Sequence, residues 1–198
     1  MNTTFIKRSI FIAIILALVF GFYYSLAQQV LRQSANDPQI QIAEDSAAVL
    51  ALGNEPKFLS DNLNNPVDIS KSLAPFLITF DGTGQPLVST AVFNGTTPVP
   101  PAGVFAYAKI HGQDRVTWQP APGVRIAAVV AYYGGQRQGY ALSGRSLREV
   151  ENRSSGLELL TFLAYLATTI FAIMGLSLNA LSARIFIILR KFFSKFFR

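Results

Sequence analysis

Residues 124–144 read VRIAAVVAYYGGQRQGYALSG. The first ten of them are mostly β-branched, aromatic or small, with one charge, at Arg125. Strand alternation puts Arg125, Ala127, Val129, Ala131 and Tyr133 on one face. Val124, Ile126, Ala128, Val130 and Tyr132 take the other. Both faces are mostly apolar, as in a central strand covered on both sides. Gly134-Gly135 is turn chemistry, and Gln138 to Gly144 reads as the next strand. So short a turn implies an antiparallel hairpin. Ala127, Ala128 and Ala131 either leave room for a ligand or let a helix approach closely.

Working outward, Arg115–Gln119 forms a preceding strand, joined to residues 124–133 through Pro120-Ala-Pro-Gly123. Upstream, Phe76–Asp81 and Leu87–Phe93 flank the turn Gly82-Thr-Gly-Gln-Pro86 and make another hairpin. The stretch 94–101, NGTTPVPP, is a loop by composition. Val104, Tyr107 and Ala108 recur at helical spacing, so residues 103–111 are expected to be a short helix between the two hairpins. Gln28 to Leu52 is expected to be a long helix, interrupted near Asn36–Pro38 because a residue before proline is biased away from the α region. Beyond the break, Ile40, Ala43, Ala47 and Leu50 form an apolar face, and Gly53-Asn-Glu-Pro56 ends the helix. Residues 57–75 read as a short helical or irregular linker. A last helix starts near Ser146, with Ser146 as N-cap and Glu149 at the capping-box position.

Two uncharged stretches bracket this region. Ser9–Ala27, SIFIAIILALVFGFYYSLA, is 19 residues long, which is about 28 Å of helix and close to the bilayer hydrocarbon thickness. The competing reading, a signal peptide cleaved after Ser25-Leu26-Ala27, is opposed by the length of the apolar run and by bulky Tyr23 and Tyr24 before the site. Leu159–Leu181, LLTFLAYLATTIFAIMGLSLNAL, is 23 residues long and spans with some tilt. The boundaries are therefore 1–8, 9–27, 28–156, 157–181 and 182–198.

The charge distribution orients these segments. Of 17 basic and 11 acidic residues, Lys7 and Arg8 precede the first span, and Arg184, Arg190, Lys191, Lys195 and Arg198 follow the second without any acid. Residues 28–156 hold ten of each sign. Basic flanks stay in the cytoplasm, so both termini are expected inside and the middle outside. The basic residues form no stripe on a soluble domain, which argues against nucleic acid. With no cysteine and one histidine, His111, thiolate sites, disulfides and multi-histidine metal sites are excluded. No nucleophile elbow or Ser-x-x-Lys pattern leads to a triad, so no enzyme activity and no cofactor are expected.

The expected order is span, helix, two strands, helical crossover, three strands, helix, span. With the hairpin FLITFDGTGQPLVS and the terminal strand GYALSGRSLREVE, it resembles the extracytoplasmic PAS-like, or Cache-type, sensor domains of bacterial two-pass receptors. The resemblance covers about residues 28–180. It implies an α+β fold with a five-stranded antiparallel sheet, the first hairpin beside the last strands, and a long N-terminal helix on one face. It also implies a ligand pocket on the sheet beneath the crossover. Such receptors continue into an output module, and this sequence ends 17 residues after the second span. The function expected is a two-pass inner-membrane sensor acting through a membrane partner or as a homodimer. The alternative is an accessory subunit that uses the external domain for docking.

Candidate pocket residues are Tyr107, Arg115, Trp118, Arg125, Tyr133 and Tyr140, with His111 and Tyr132 beside them. Aromatic walls suit a small organic ligand, and arginine suits a carboxylate. The bland reading is that the aromatics fill the core and the arginines are solvated. His111 with Asp114 is a poor metal site. Asn94-Gly-Thr96 and Asn152-Arg-Ser154 match glycosylation sequons, a pattern short enough to arise by chance.

The tail 182–198, SARIFIILRKFFSKFFR, puts Arg184, Lys191, Lys195 and Arg198 in one helical arc. Ile185, Leu189, Phe192, Phe193 and Phe196 lie opposite. This pattern is that of a helix lying in the lipid interface, with the bilayer as partner. A 182–198 peptide is expected to gain helix on anionic vesicles. Replacing Lys191, Lys195 and Arg198 by Gln removes its preference for anionic lipid, which circular dichroism and co-sedimentation measure. Equal binding to neutral vesicles points instead to a protein-docking tail.

Overall fold

The computed structural model describes residues 3–34, 36–135 and 137–196; within the last helix it describes backbone only at 180, 183, 184, 187, 188 and 190–196. Gln29–Arg153 forms one compact unit, and the chain up to Gln28 and from Ser154 forms another.

The elements of the first unit follow the hydrophobic pattern. Helix α1 (Thr3–Ser34) ends just before Asn36, and α2 (Asp37–Ala51) restarts with Pro38 in its first turn, where a missing N–H costs nothing. A short helix α3 (Lys57–Asn62) and strand β1 (Val67–Asp68) follow. Then come β2 (Phe76–Asp81), β3 (Pro86–Ser89), β4 (Ala91–Val92), α4 (Ala102–His111), β5 (Gln113–Ala121), β6 (Val124–Tyr133) and β7 (Gly139–Ser146). Five strands pair antiparallel in the order β3-β2-β7-β6-β5, so the first hairpin lies beside the last strand.

One expected strand is two. Residues 87–93 break at Thr90, which is fully buried. Its Oγ1 accepts the Leu77 N–H (2.9 Å) and donates to the Leu77 carbonyl (3.2 Å), which also accepts the Thr90 N–H (2.9 Å), so only one of the two backbone bonds of a ladder step remains. Ser89 Oγ meanwhile bonds the Ala91 N–H (3.0 Å) and carbonyl (2.7 Å), bending the chain. β4 leaves β2 and pairs in parallel with β1.

β6 is the centre. Ile126 to Ala131 are all buried, and their side chains divide between two cores. On one face Ile126, Ala128 and Val130 join Phe76, Ile78, Phe80, Trp118, Tyr140 and Leu142 under α4, which contributes Val104, Phe105 and Ala108. On the other face Val129, Ala131 and Tyr133 join Leu77 and Ala141 under α2, which contributes Ala43 and Ala47. Alanine facing alanine lets α2 lie close to the sheet. The expected apolar face of α2 is there, with Ile40 and Leu50 half-buried at its flanks, and Gln39 and Ser46 are buried with it.

Two glycines on β7 each sit beneath an aromatic ring of a neighbouring strand. Phe76 pairs with Gly144, and a Cβ there would come within 2.3 Å of the ring. Tyr133 pairs with Gly139, where a Cβ would meet the Phe80 carbonyl at 2.2 Å and the tyrosine hydroxyl at 2.6 Å. The β2–β3 turn is held by Asp81. Its Oδ1 accepts the N–H groups of Thr83 (2.8 Å) and Gln85 (2.9 Å) and the Thr83 hydroxyl (2.7 Å). The Thr83 hydroxyl is the main reason this carboxyl sits below the usual carboxylate range.

Helix α5 (Arg148–Phe196) is unbroken, so the boundary expected at 181/182 between a span and a separate C-terminal helix has no counterpart in the backbone. No Gly or Pro follows Gly175, and nothing else there breaks a helix. The side chains of Arg184, Lys191, Phe192, Phe193, Lys195 and Phe196, and the whole of Arg198, lie outside the described residues. At its start Ser146 accepts the Arg148 N–H (3.3 Å), as an N-terminal cap should. Glu149 does not complete the capping box and instead pairs with Arg145 (3.0 Å) and Arg153.

In the second unit α1 and α5 are long and apolar enough to cross a membrane, and none of either apolar window is buried. Phe20 meets Tyr165 edge-on at 6.2 Å, and Tyr165 donates to the Ala13 carbonyl (3.4 Å). Further along, Tyr24 reaches Glu158 (3.5 Å) and Gln28 donates to Ser154 (3.2 Å). The contacting positions recur every three to four residues or multiples of that, one stripe on each helix.

Gly144→Ala is expected to destabilise the fold by about 1–3 kcal/mol, because Phe76 has no room to withdraw. The lowering of Tm, followed by thermal unfolding of the full chain in detergent, measures it. An unchanged Tm contradicts the ring-over-glycine contact.

Candidate functional site

The face beneath the crossover is filled by aromatic rings. Phe105 of α4 lies between Phe80 (ring centroids 4.8 Å apart) and Tyr140 (4.9 Å), and Tyr140 in turn meets Tyr132 at 5.6 Å. Gly84, with φ +85°, brings the β2–β3 turn against the Phe105 ring, where a Cβ would stand 3.1 Å away. Trp118 is buried in the same cluster.

The six expected pocket residues do not converge. Trp118 and Tyr140 belong to the crossover-face core, and Tyr133 belongs to the α2-face core, where its hydroxyl donates to the Phe80 carbonyl (3.3 Å). Burial raises the pKa of both tyrosine hydroxyls. Arg125 is exposed and ion-paired with Glu151 of α5's first turns. Tyr107 lies on the outer side of α4, half exposed, with His111 stacked on it at 4.0 Å. Arg115, on edge strand β5, is exposed. It pairs with Val129, which puts it on the α2 side of the sheet.

The open space lies on that α2 side. A cleft of about 470 Å³ runs between the C-terminal half of α2 and the end of the sheet. Helix α2 supplies Glu44, Ala47, Ala48 and Ala51, one helical stripe with a carboxylate at one end. The α4–β5 turn supplies His111, Gly112 and Gln113, and the end of β6 supplies Ala131 to Gly134. The space exists because three α2 positions and one β6 position are alanine. The turn is fixed to the floor by the Tyr132 N–H, which donates to the Gly112 carbonyl (2.8 Å).

The polar groups at the cleft are specific. With the Gln113 amide in the orientation that satisfies its neighbours, its nitrogen donates to Glu44 Oε1 (3.3 Å) and its oxygen accepts from Arg115 Nη2 (3.2 Å). His111 Nδ1 lies 3.1 Å from the Tyr107 carbonyl. A carbonyl only accepts, so Nδ1 carries the proton there and Nε2 of the neutral ring is an acceptor. His111 and Tyr132 were legible as candidates in the sequence, but Glu44 and Gln113 were not. Glu44 reads as one more polar residue of an amphipathic helix until the sheet is placed beneath it.

Gln39 poses a different question. It is 0% exposed, and neither amide atom has a hydrogen-bond partner; the Ser143 hydroxyl, also buried, has none either. Burying such groups unpaired opposes the close seating of α2.

No known protein family, no curated protein and no solved structure matches the chain.

Gln39→Met keeps the shape and removes the unpaired amide. It is expected to raise stability by about 1–3 kcal/mol, read as a higher Tm of the full chain in detergent. A fall in Tm means that the amide is satisfied in solution.

Proposed function

We propose that the chain is a two-pass inner-membrane protein with both termini cytoplasmic, presenting an extracytoplasmic PAS-like sensory domain that signals through a membrane partner or as a homodimer. The observation that carries this reading is the sheet order β3-β2-β7-β6-β5 with a helical crossover between the hairpins, in a domain continuous with an apolar helix at each end. The basic residues outside the two apolar stretches and the balanced charge between them support the orientation. The seam of Tyr24, Gln28, Ser154 and Glu158 supports a signal carried as displacement of α1 against α5, because sliding either helix exchanges those bonds. The basic, phenylalanine-rich end of α5 holds that helix at a set depth in the cytoplasmic interface.

A docking module is the second reading, and α4 favours it. Beneath the crossover the core is full of aromatic rings, while the outer side of α4 carries Tyr107 and Ile110, 50% and 79% exposed. On this reading the external fold binds another subunit through α4 and needs no small ligand.

Topology is tested with reporter fusions after Gly53 and after Arg198, which are expected to report opposite sides of the membrane. The same side for both overturns the two-pass reading. Crosslinking in the membrane through cysteines placed at Tyr107 and Ile110 separates the two functions. Capture of a distinct subunit through α4 supports docking, and free α4 cysteines throughout support the sensor.

A further inference from the structure

We propose that the cleft between α2 and the α4–β5 turn is a binding site for a small organic ammonium ion. This names a ligand class for the sensory reading above and rests on it only for the ligand's arrival from outside. The exposed rim presents acceptors. Glu44 is a carboxylate with lone pairs left over after Gln113, and the uncharged form of His111, with Nδ1 on the Tyr107 carbonyl, accepts at Nε2. Two helices also end here, α2 at Ala51 and α4 at His111, and the C-terminus of each carries the negative end of its dipole. Three sources of negative potential therefore meet in one concavity.

Two cations stand near the cleft without lining it, Arg115 and Arg137, whose charge reaches Tyr133. Arg115 is not part of the lining, and its Nη2 is engaged by the Gln113 oxygen. The same amide's nitrogen faces Glu44, so the Gln113 amide lies between the two charges. An anionic ligand would meet the Glu44 carboxylate, whereas an ammonium is attracted to it.

Size and polarity limit the rest of the ligand. The walls are Ala47, Ala48, Ala51 and Ala131, apolar and short, so they accept an alkyl body of a few carbons without offering it hydrogen bonds. Tyr133, on the α2 face of the sheet, lines the same end, and aromatic rings favour organic cations over neutral groups of equal size. A metal ion fits poorly. Glu44 and His111 are two ligands, and among the described residues no group of three His, Cys, Asp or Glu side chains gathers.

The test uses the full chain in nanodiscs of zwitterionic phosphatidylcholine, with n-butylammonium, n-butanol and butyrate as probes of one body and three charges. Calorimetric titration or saturation-transfer NMR reads the affinity. The expected result is n-butylammonium binding at least tenfold more tightly than the other two. Glu44→Gln is expected to bring that ratio below threefold. Ala48→Leu, an exposed helix position, fills the cleft and is expected to abolish binding of all three. Equal affinity for the three probes, no binding of n-butylammonium, or binding unaltered by both substitutions overturns the proposal. Because binding is measured on purified protein, its failure is distinct from failure of the topology, which the reporter fusions read separately.

Discussion

The middle of strand β6 has water on neither side. Six consecutive residues, Ile126 to Ala131, are buried, and alternate side chains belong to different cores. A strand of that kind stands only if both faces are covered and both neighbours are in register. β5 and β7 supply the neighbours, and α4 and α2 supply the covers. Slipping β6 by one residue would exchange the two cores and put Arg125 among Phe76 and Trp118. The remaining choices of the fold, from the seating of α2 to the filling of the crossover face, follow from the side chains that β6 presents.

The two covers solve the packing problem differently. Beneath α4, large rings interlock, Phe80 on Phe105 on Tyr140, and the glycine at 84 admits the turn that closes them. Beneath α2, small residues meet small residues, and the helix comes close at the cost of little buried volume. Close approach traps Gln39 and Ser143 without partners along the helix, and it leaves an alanine-walled cleft where α2 passes the end of the sheet. Dense aromatic packing excludes a ligand from one face, and sparse alanine packing makes room for one on the other. This physical difference moves the candidate site from beneath the crossover to the opposite side of the sheet.

The glycines of β7 show how tightly the sheet is specified. Gly139 and Gly144 flank the strand, and each accepts a ring from a partner strand across its bare Cα. The outer ends of the Phe76 and Tyr133 rings thereby fill the space where a β7 side chain would start. The motif GYALSG is thus a pair of ring seats around four core residues, and its glycines serve packing as well as turning.

Much of this was legible in the sequence. The apolar alternation of residues 124–133, the Gly-Gly turn, the hairpin around Gly82–Pro86, the break before Pro38 and the two uncharged stretches are local patterns with local causes. They determine which segments are helices and strands, that the sheet is antiparallel, and that two helices are apolar enough for a bilayer. What they leave undecided depends on distance in space. Thr90 reads as a mid-strand threonine until Leu77 is beside it to take both its bonds. Glu149 reads as a capping residue until Arg145 and Arg153 compete for it. Tyr107, Trp118, Tyr133 and Tyr140 share a composition that suits a pocket, yet strand register sends Trp118 and Tyr140 to one face of the sheet and Tyr133 to the other, and Tyr107 lies on the outer side of α4. Glu44, Gln113 and His111 lie far apart in the chain and become one site only because α2 crosses the end of β6. Residue types and their periodicity determined the elements; contacts between elements decided which faces are filled and where a cleft remains, because packing is set by which side chains meet and local pattern does not record that.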